Sequence, residues 1–152
     1  MKVGIISDTH DNMAKIKDMV SILNSRGVDF TLHAGDFIAP FSLGPFKDLK
    51  CGWAGVFGNN DGERKGLLKK SEGRIKNPPY FMKLSSKTII LMHELKSLDA
   101  DVLICGHTHQ PEISRNGDKL IINPGEVCGW LTGKSSLAIL DIESLRAEII
   151  YF

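Results

Sequence analysis

At 152 residues, with 42% hydrophobic and 24% charged side chains, the chain has the size and balance of one soluble domain with a substantial core. Its formal net charge of +1 gives no general pull towards nucleic acid or anionic lipid, and no apolar run approaches the roughly 20 residues that span a bilayer. Cys51, Cys105 and Cys128 form no CxxC pair, which argues against a disulfide framework and points to core filling in a reducing cytoplasm.

The opening segment Lys2–Ser7 is a short apolar run suited to a buried strand, and it turns polar too early for a secretory signal. Ile16, Met19, Val20 and Leu23 recur at i, i+3, i+4, i+7 spacing. That spacing predicts a helix over 11–26, capped by Asp11 or Asn12 and ended by Gly27. Val28–Ala34 reads as a second strand, Pro40–Leu49 as a helix opened by its proline, and Trp53–Phe57 as a third strand. This βαβαβ order implies parallel strands joined by right-handed crossovers. The second half is richer in hairpins. Tyr80–Leu84 pairs with Thr88–Met92, Glu112–Arg115 with Lys119–Asn123 around Asn116-Gly117, and Ser135–Ile142 with Arg146–Tyr151. Asp101–Cys105 is a buried strand among them. Together these elements predict a single α/β (α+β) domain over 1–152, built on two mixed β-sheets packed face to face with helices outside.

The metal-competent side chains fall where strands end. Val3–Ile6 leads into Asp8 and His10, and Phe30–Leu32 into His33, Gly35 and Asp36. Ala54–Phe57 leads into Gly58, Asn59, Asn60 and Asp61, Ile89–Met92 into His93, and Val102–Cys105 into Gly106, His107 and His109. Ligands of α/β sheets gather beyond the carboxyl ends of the strands, so five such ends can deliver Asp, Asn and His to one cleft. In an extended segment residues i and i+2 point the same way. That would aim Asp8 and His10 at one ion, and His107 and His109 at a metal pair. Imidazole and carboxylate without thiolate suit Mn, Fe, Co, Ni or Zn rather than Ca or Mg alone.

These clusters resemble the calcineurin-like metallophosphoesterase superfamily, whose pattern of D-x-H, G-D, G-N-H-[DE], a lone His and G-H-x-H runs through nearly the whole chain. The segments SDTHDN, HAGD, GNNDGER, GHTH and NPGE are most similar to its small bacterial and archaeal phosphodiesterases. The resemblance implies a four-layer αββα sandwich with two divalent metals at the strand ends, manganese foremost among the candidates. It implies that Asp8, His10, Asp36 and His109 hold one metal and that Asp36, Asn59, His93 and His107 hold the other, with Asp36 bridging. The chemistry it implies is in-line attack by a metal-bridging hydroxide on a small phosphate ester. Two divalent ions set against two carboxylates and one hydroxide leave a single positive charge, which matches a singly anionic diester.

The chain departs from the family pattern in three places. Asn60 stands where a histidine is usual, beside Asp61, and these two are the catalytic positions that the resemblance gives. An amide donates a hydrogen bond but supplies no proton at neutral pH, so activated, aryl-like leaving groups are expected to react best. Glu94 replaces the usual glycine after His93. Residues 94–106 are also a short link to His107, with room for one small helix, Glu94–Leu98. Glu126, in the NPGE segment, either orients a ligand histidine, repels a dianionic monoester, or is a solvated turn residue. His33 reads as a hydrogen-bonded core histidine, Arg64 as a surface arginine rather than a phosphate contact, and Trp53 and Trp130 as packing residues. Two other functions stay open: a non-catalytic assembly scaffold, as the superfamily's retromer subunit is, and a phosphomonoesterase or nuclease. The lack of a basic, aromatic-interleaved stripe argues against polymeric nucleic acid, and a homodimer is compatible with the chain.

Overall fold

The computed structural model describes all 152 residues. The first half runs β1 (Lys2–Ile6), α1 (Met13–Arg26), β2 (Phe30–His33), a 3-10 helix (Pro40–Asp48), β3 (Gly52–Val56), α2 (Arg64–Lys70) and β4 (Ile75–Lys76). The second half runs β5 (Tyr80–Leu84), β6 (Lys87–Leu91), β7 (Val102–Ile104), β8 (Pro111–Asn116), β9 (Lys119–Pro124), β10 (Ser136–Asp141) and β11 (Arg146–Tyr151). Two sheets result, ordered β11-β10-β1-β2-β3-β4 and β5-β6-β7-β9-β8. Neighbours from β1 through β4 are parallel, as are β6, β7 and β9, while the hairpins add antiparallel strands at the edges. No helix is long and apolar enough to cross a membrane.

The predicted apolar stripe of α1, Ile16, Met19, Val20 and Leu23, is buried throughout. Each such side chain contributes roughly 1.5–3 kcal/mol relative to exposure. The Asn12 side chain accepts the Lys15 N–H at 3.3 Å, so Asn12 rather than Asp11 caps the helix. Residues 40–48 are a 3-10 helix because Pro45, inside the segment, has no N–H to give and its ring blocks a regular α-turn. In the β8–β9 hairpin Asn116 pairs with Lys119, so the turn residues are Gly117 and Asp118, one place later than the Asn-Gly dipeptide suggests.

Three apolar layers hold the molecule. Val3, Ile5, Leu32, Val56, Leu91, Ile104, Ile122 and Leu140 pack between the sheets. On the outside of the first sheet, α1, α2 and the 3-10 helix cover Ile6, Trp53, Ile75 and Leu137. The outside of the second sheet, at Ile90 and Leu103, is covered by Met92, Leu98 and Ala100. These last residues lie on a bent segment without helix. The expected helix Glu94–Leu98 does not form: five residues cannot offset the cost of helix nucleation, and Leu95 stays in solvent. The α/β class with two face-packed mixed sheets holds, with the helical cover on the first sheet.

Candidate metal centre

The loops that leave β1, β2, β3, β6 and β7 meet at one edge and are stitched together by backbone hydrogen bonds. Asp8 N–H donates to the Gly35 carbonyl at 3.0 Å, Gly106 N–H to that of His93 at 3.0 Å, and Cys128 N–H to that of Asp8 at 3.1 Å. Asp8, His10, Asp36, His107 and His109 have φ of 53°, 39°, 62°, 69° and 61°. Asp8 and His10 are therefore not an extended i, i+2 pair, and neither are His107 and His109. Their side chains converge because the chain reverses through the left-handed region, which Asp and His enter more readily than most residues. Each such residue costs on the order of 1–3 kcal/mol and persists only where its surroundings hold it. Gly58 and Gly106 make the approach possible. A Cβ on Gly58 would run into the Asp36 carboxylate, and one on Gly106 into the Ser7 and Asp8 side chains.

All seven predicted metal positions come together, in two groups that share Asp36. In the first, His10 Nε2 lies 3.7 Å from Asp8 Oδ1 and 3.4 Å from Asp36 Oδ2, and His109 Nε2 lies 3.4 Å from Asp8 Oδ1. In the second, His93 Nε2 lies 3.4 Å from the same Asp36 Oδ2. Asn59 Oδ1 stands 2.8 Å from His93 Nε2 and 3.0 Å from His107 Nδ1. The short link after His93 has not displaced it.

The donor set fits divalent cations. Asp8 Oδ1 and His10 Nε2 are buried and have no hydrogen-bond partner, a state that ordinarily costs about 1–3 kcal/mol per group. His109 gives its Nδ1–H to Glu126 Oε2 at 2.7 Å, so its Nε2 presents a lone pair to Asp8 Oδ1. A lone pair aimed at a carboxylate oxygen calls for a proton or a cation between them. The electrostatics of the site favour positive charge at the same place. Burial pulls the His10 and His93 pKa values down, but Asp8 and Asp36 beside His10, and Asp36 beside His93, outweigh it and leave both raised. Burial pushes the Asp36 carboxyl up, yet His93 and Asn60 hold it well below the usual carboxylate range. A third cluster, His109, Glu126 and Cys128, is of another kind. The Cys128 thiol donates to Glu126 Oε2 at 2.9 Å, and burial and Glu126 push its pKa up to about 12, so it is a hydrogen-bond donor and not a thiolate ligand.

Around this centre several expected roles change. Asn60 donates its side-chain amide to Asp36 Oδ2 at 2.7 Å and its backbone N–H to Oδ1 at 2.9 Å. Asp61 is buried, and its carboxylate accepts the backbone N–H groups of Ile38, Gly58 and Asp36 at 2.8, 2.8 and 3.2 Å. It therefore clamps two loops together rather than assisting the Asn60 side chain. Arg64 is exposed but tied inwards, donating to the Asp61 and Gly58 carbonyls with its guanidinium over the Phe57 ring. Glu126 is fully buried, which removes the solvated-turn reading, and the hydrogen bond it accepts from His109 is the histidine-orienting one. Burial raises its carboxyl, but the Cys128, His109 and Thr132 hydrogen bonds outweigh this and hold it at about 2.

His33 is the core histidine that the sequence suggests. It stacks on Phe37 at 3.6 Å, accepts the Gly35 N–H at Nδ1 and so donates from Nε2 to Thr9 Oγ1, while burial holds its pKa well below the ordinary value. Trp53 is core, but Trp130 is not a packing residue: it is 62% exposed, with its ring 6.2 Å from that of His10. The sequence reading missed Asn123, whose side chain donates to the Gly106 carbonyl and Thr108 Oγ1 and so holds the GHTH loop. Its signal was present as the first residue of NPGE. A cleft of about 370 Å³ opens beside Asn59 and His93, with Arg64, Glu94 and Lys96 on its wall. A larger groove of about 1180 Å³, beside the 3-10 helix, contains none of the seven converging residues.

Comparison with known proteins agrees with this geometry. Residues 1–145 match the model of the calcineurin-like phosphoesterase superfamily domain. The chain is 37% identical over 156 aligned residues to a phosphodiesterase of Methanocaldococcus jannaschii, covering 94% of each. It superposes on the solved structure of an archaeal phosphodiesterase with a TM-score of 0.93 at 33% identity, over 100% of both chains. A single-residue variant of Vps29 from Entamoeba histolytica shares the fold at a TM-score of 0.74 and 23% identity, over 100% of this chain and 99% of that one. Fold and site thus define a metal-dependent phosphoesterase. The chain belongs to the calcineurin-like phosphoesterase superfamily, whose members bind divalent metals.

Proposed function

We propose that the protein is a cytoplasmic phosphodiesterase that works with two divalent ions, manganese by preference, on a small or nucleotide-like diester. The observation that carries this reading is the place of Asp36 Oδ2, 3.4 Å from an imidazole nitrogen of each ligand group. In this reading Asp8, His10, Asp36 and His109 hold one ion, and Asp36, Asn59, His93 and His107 the other. The ions would supply a water of lowered pKa, charge for the phosphoryl oxygens and alignment for in-line displacement.

The chain's own residues do the rest. Glu126 fixes His109 in the tautomer whose Nε2 faces the centre. Asp61 holds the Asp36 and Gly58 turns in register through their backbone N–H groups. Asn60 sits at the mouth, beside Asp36, where its amide can donate to an ester oxygen without giving up a proton. The name of the M. jannaschii relative supports diester hydrolysis. The alternative that the family resemblance leaves open is a protein-assembly scaffold, and the fold that this chain shares with Vps29 is compatible with either reading. Seven competent side chains brought to one place weigh against the scaffold.

The deciding experiment titrates metal-depleted protein with manganese, nickel or zinc against bis(p-nitrophenyl) phosphate and p-nitrophenyl phosphate side by side. Metal-dependent hydrolysis, faster for the diester and lost in Asp36→Ala, is the expected result. A folded protein that takes up no metal and hydrolyses neither ester supports the scaffold.

A further inference from the structure

One buried carboxylate ties the metal centre to an exposed aromatic side chain. Glu126 accepts the backbone N–H groups of Trp130, Leu131 and Thr132 at 3.1, 3.0 and 2.6 Å, and the Thr132 hydroxyl at 2.7 Å. The same carboxylate accepts His109 Nδ1–H. The turn over 130–132 is therefore strapped to the floor of the site, yet it lifts Trp130 and Leu131 into solvent, 62% and 75% exposed. The indole stands 6.2 Å from the His10 imidazole at an angle of 42°. A tryptophan is seldom left this open, and a rigidly held apolar surface at the rim of a polar site marks a binding face. The cleft on the other flank, where Phe57, Pro78, Pro79 and Met92 stand beside Asn59, Arg64, Glu94 and Lys96, offers apolar as well as polar surface. On the His10 side, an aromatic group entering the site finds its apolar contact at the exposed Trp130 ring.

We propose that Trp130 is a specificity-determining residue. Its indole stacks against a planar ring, an aryl group or a nucleobase, on the arm of the diester that remains after cleavage, while the phosphate sits by His10 and Asp36. Glu126 is its positioning residue. The inference rests on the phosphodiesterase reading above and names its substrate class.

The test compares bis(p-nitrophenyl) phosphate with methyl p-nitrophenyl phosphate, which share a leaving group and differ in the arm that stays. Trp130→Ala is expected to lower the ratio of their kcat/KM values about tenfold, through KM for the diaryl ester. That factor corresponds to a stack worth about 1.4 kcal/mol. Trp130→Phe is expected to restore most of the ratio. In Trp53→Phe protein the remaining tryptophan is Trp130. Its emission is expected to quench with diphenyl phosphate at concentrations where dimethyl phosphate has no effect. An unchanged ratio in Trp130→Ala, or equal responses to the two phosphates, overturns the platform while leaving hydrolysis intact. The fluorescence titration needs no turnover, so it decides for or against the platform even in a protein that hydrolyses neither ester.

Discussion

His93 Nε2 and Asn59 Oδ1 stand 2.8 Å apart, and the Nδ1–H of His93 is committed to the Ala34 carbonyl at 2.8 Å. With that proton on Nδ1, neutral His93 turns a lone pair towards an amide oxygen, so two acceptors face each other. Either a second proton on the ring or a cation reconciles them. Metal uptake must therefore displace protons from His93 and, by the same logic of raised pKa, from His10. A raised pKa keeps the ring protonated to higher pH than the ordinary 6.5, so apparent metal affinity is expected to climb with pH through and above that value. Calorimetric titrations from about pH 6 to about pH 8, in buffers of different ionisation enthalpy, would show it as proton release. An affinity that does not change with pH contradicts the assignment.

Glu126 sets an acid limit on stability. Its carboxyl is held at about 2 against an ordinary 4.5, so the native state favours its ionised form. That contribution is fully present above about pH 4.5 and is lost as pH falls through about 2. Glu126→Gln is expected to flatten this part of the acid-unfolding curve and to weaken metal binding roughly 10–100-fold, by loosening His109. Circular dichroism across the acid range checks the first effect, and a metal titration the second.

The role proposed for Asn60 predicts a dependence on the leaving group. Since its amide gives no proton, the rate in the wild type should fall steeply as the leaving-group pKa rises. Asn60→His places a proton donor there and is expected to flatten the slope, raising rates for alkyl esters by about 10²–10⁴-fold. A series of diesters with graded leaving groups measures the slope. A flat dependence in the wild type removes this role for Asn60.

Asp61 acts through the backbone. Asp61→Asn turns an NH₂ towards amide donors that now meet a carboxylate, and should destabilise the fold by about 2–3 kcal/mol while weakening metal uptake. Urea denaturation reads the first effect. A catalytic acid would behave differently, losing rate with stability and metal content intact.

Much of this was legible because strands announce themselves by apolar runs and the polar clusters follow them directly. Those grounds place Asp8, His10, Asp36, Asn59, His93, His107 and His109 at strand ends, and the family resemblance singles them out as the ligand set. Their convergence was anticipated for the wrong local reason, since the i, i+2 alternation of strands does not survive in loops at positive φ. Helix α2 was missed because Leu67 alone is buried in it, too little for a period to show. The roles of Asp61 and Glu126 lie in backbone amides, which every residue carries and no sequence pattern marks. Trp130 read as core because tryptophan usually is. Only the fold shows that its loop is fastened from below.

A dinuclear centre requires the Asp36 carboxylate to serve two cations at once. Counting bound manganese per chain, by equilibrium dialysis and elemental analysis of the wild type and of Asp36→Ala, addresses it most directly. The account predicts two ions in the wild type and loss of both sites' affinity in the variant. One ion or none in the wild type, or an Asp36→Ala protein that still binds two, would contradict it.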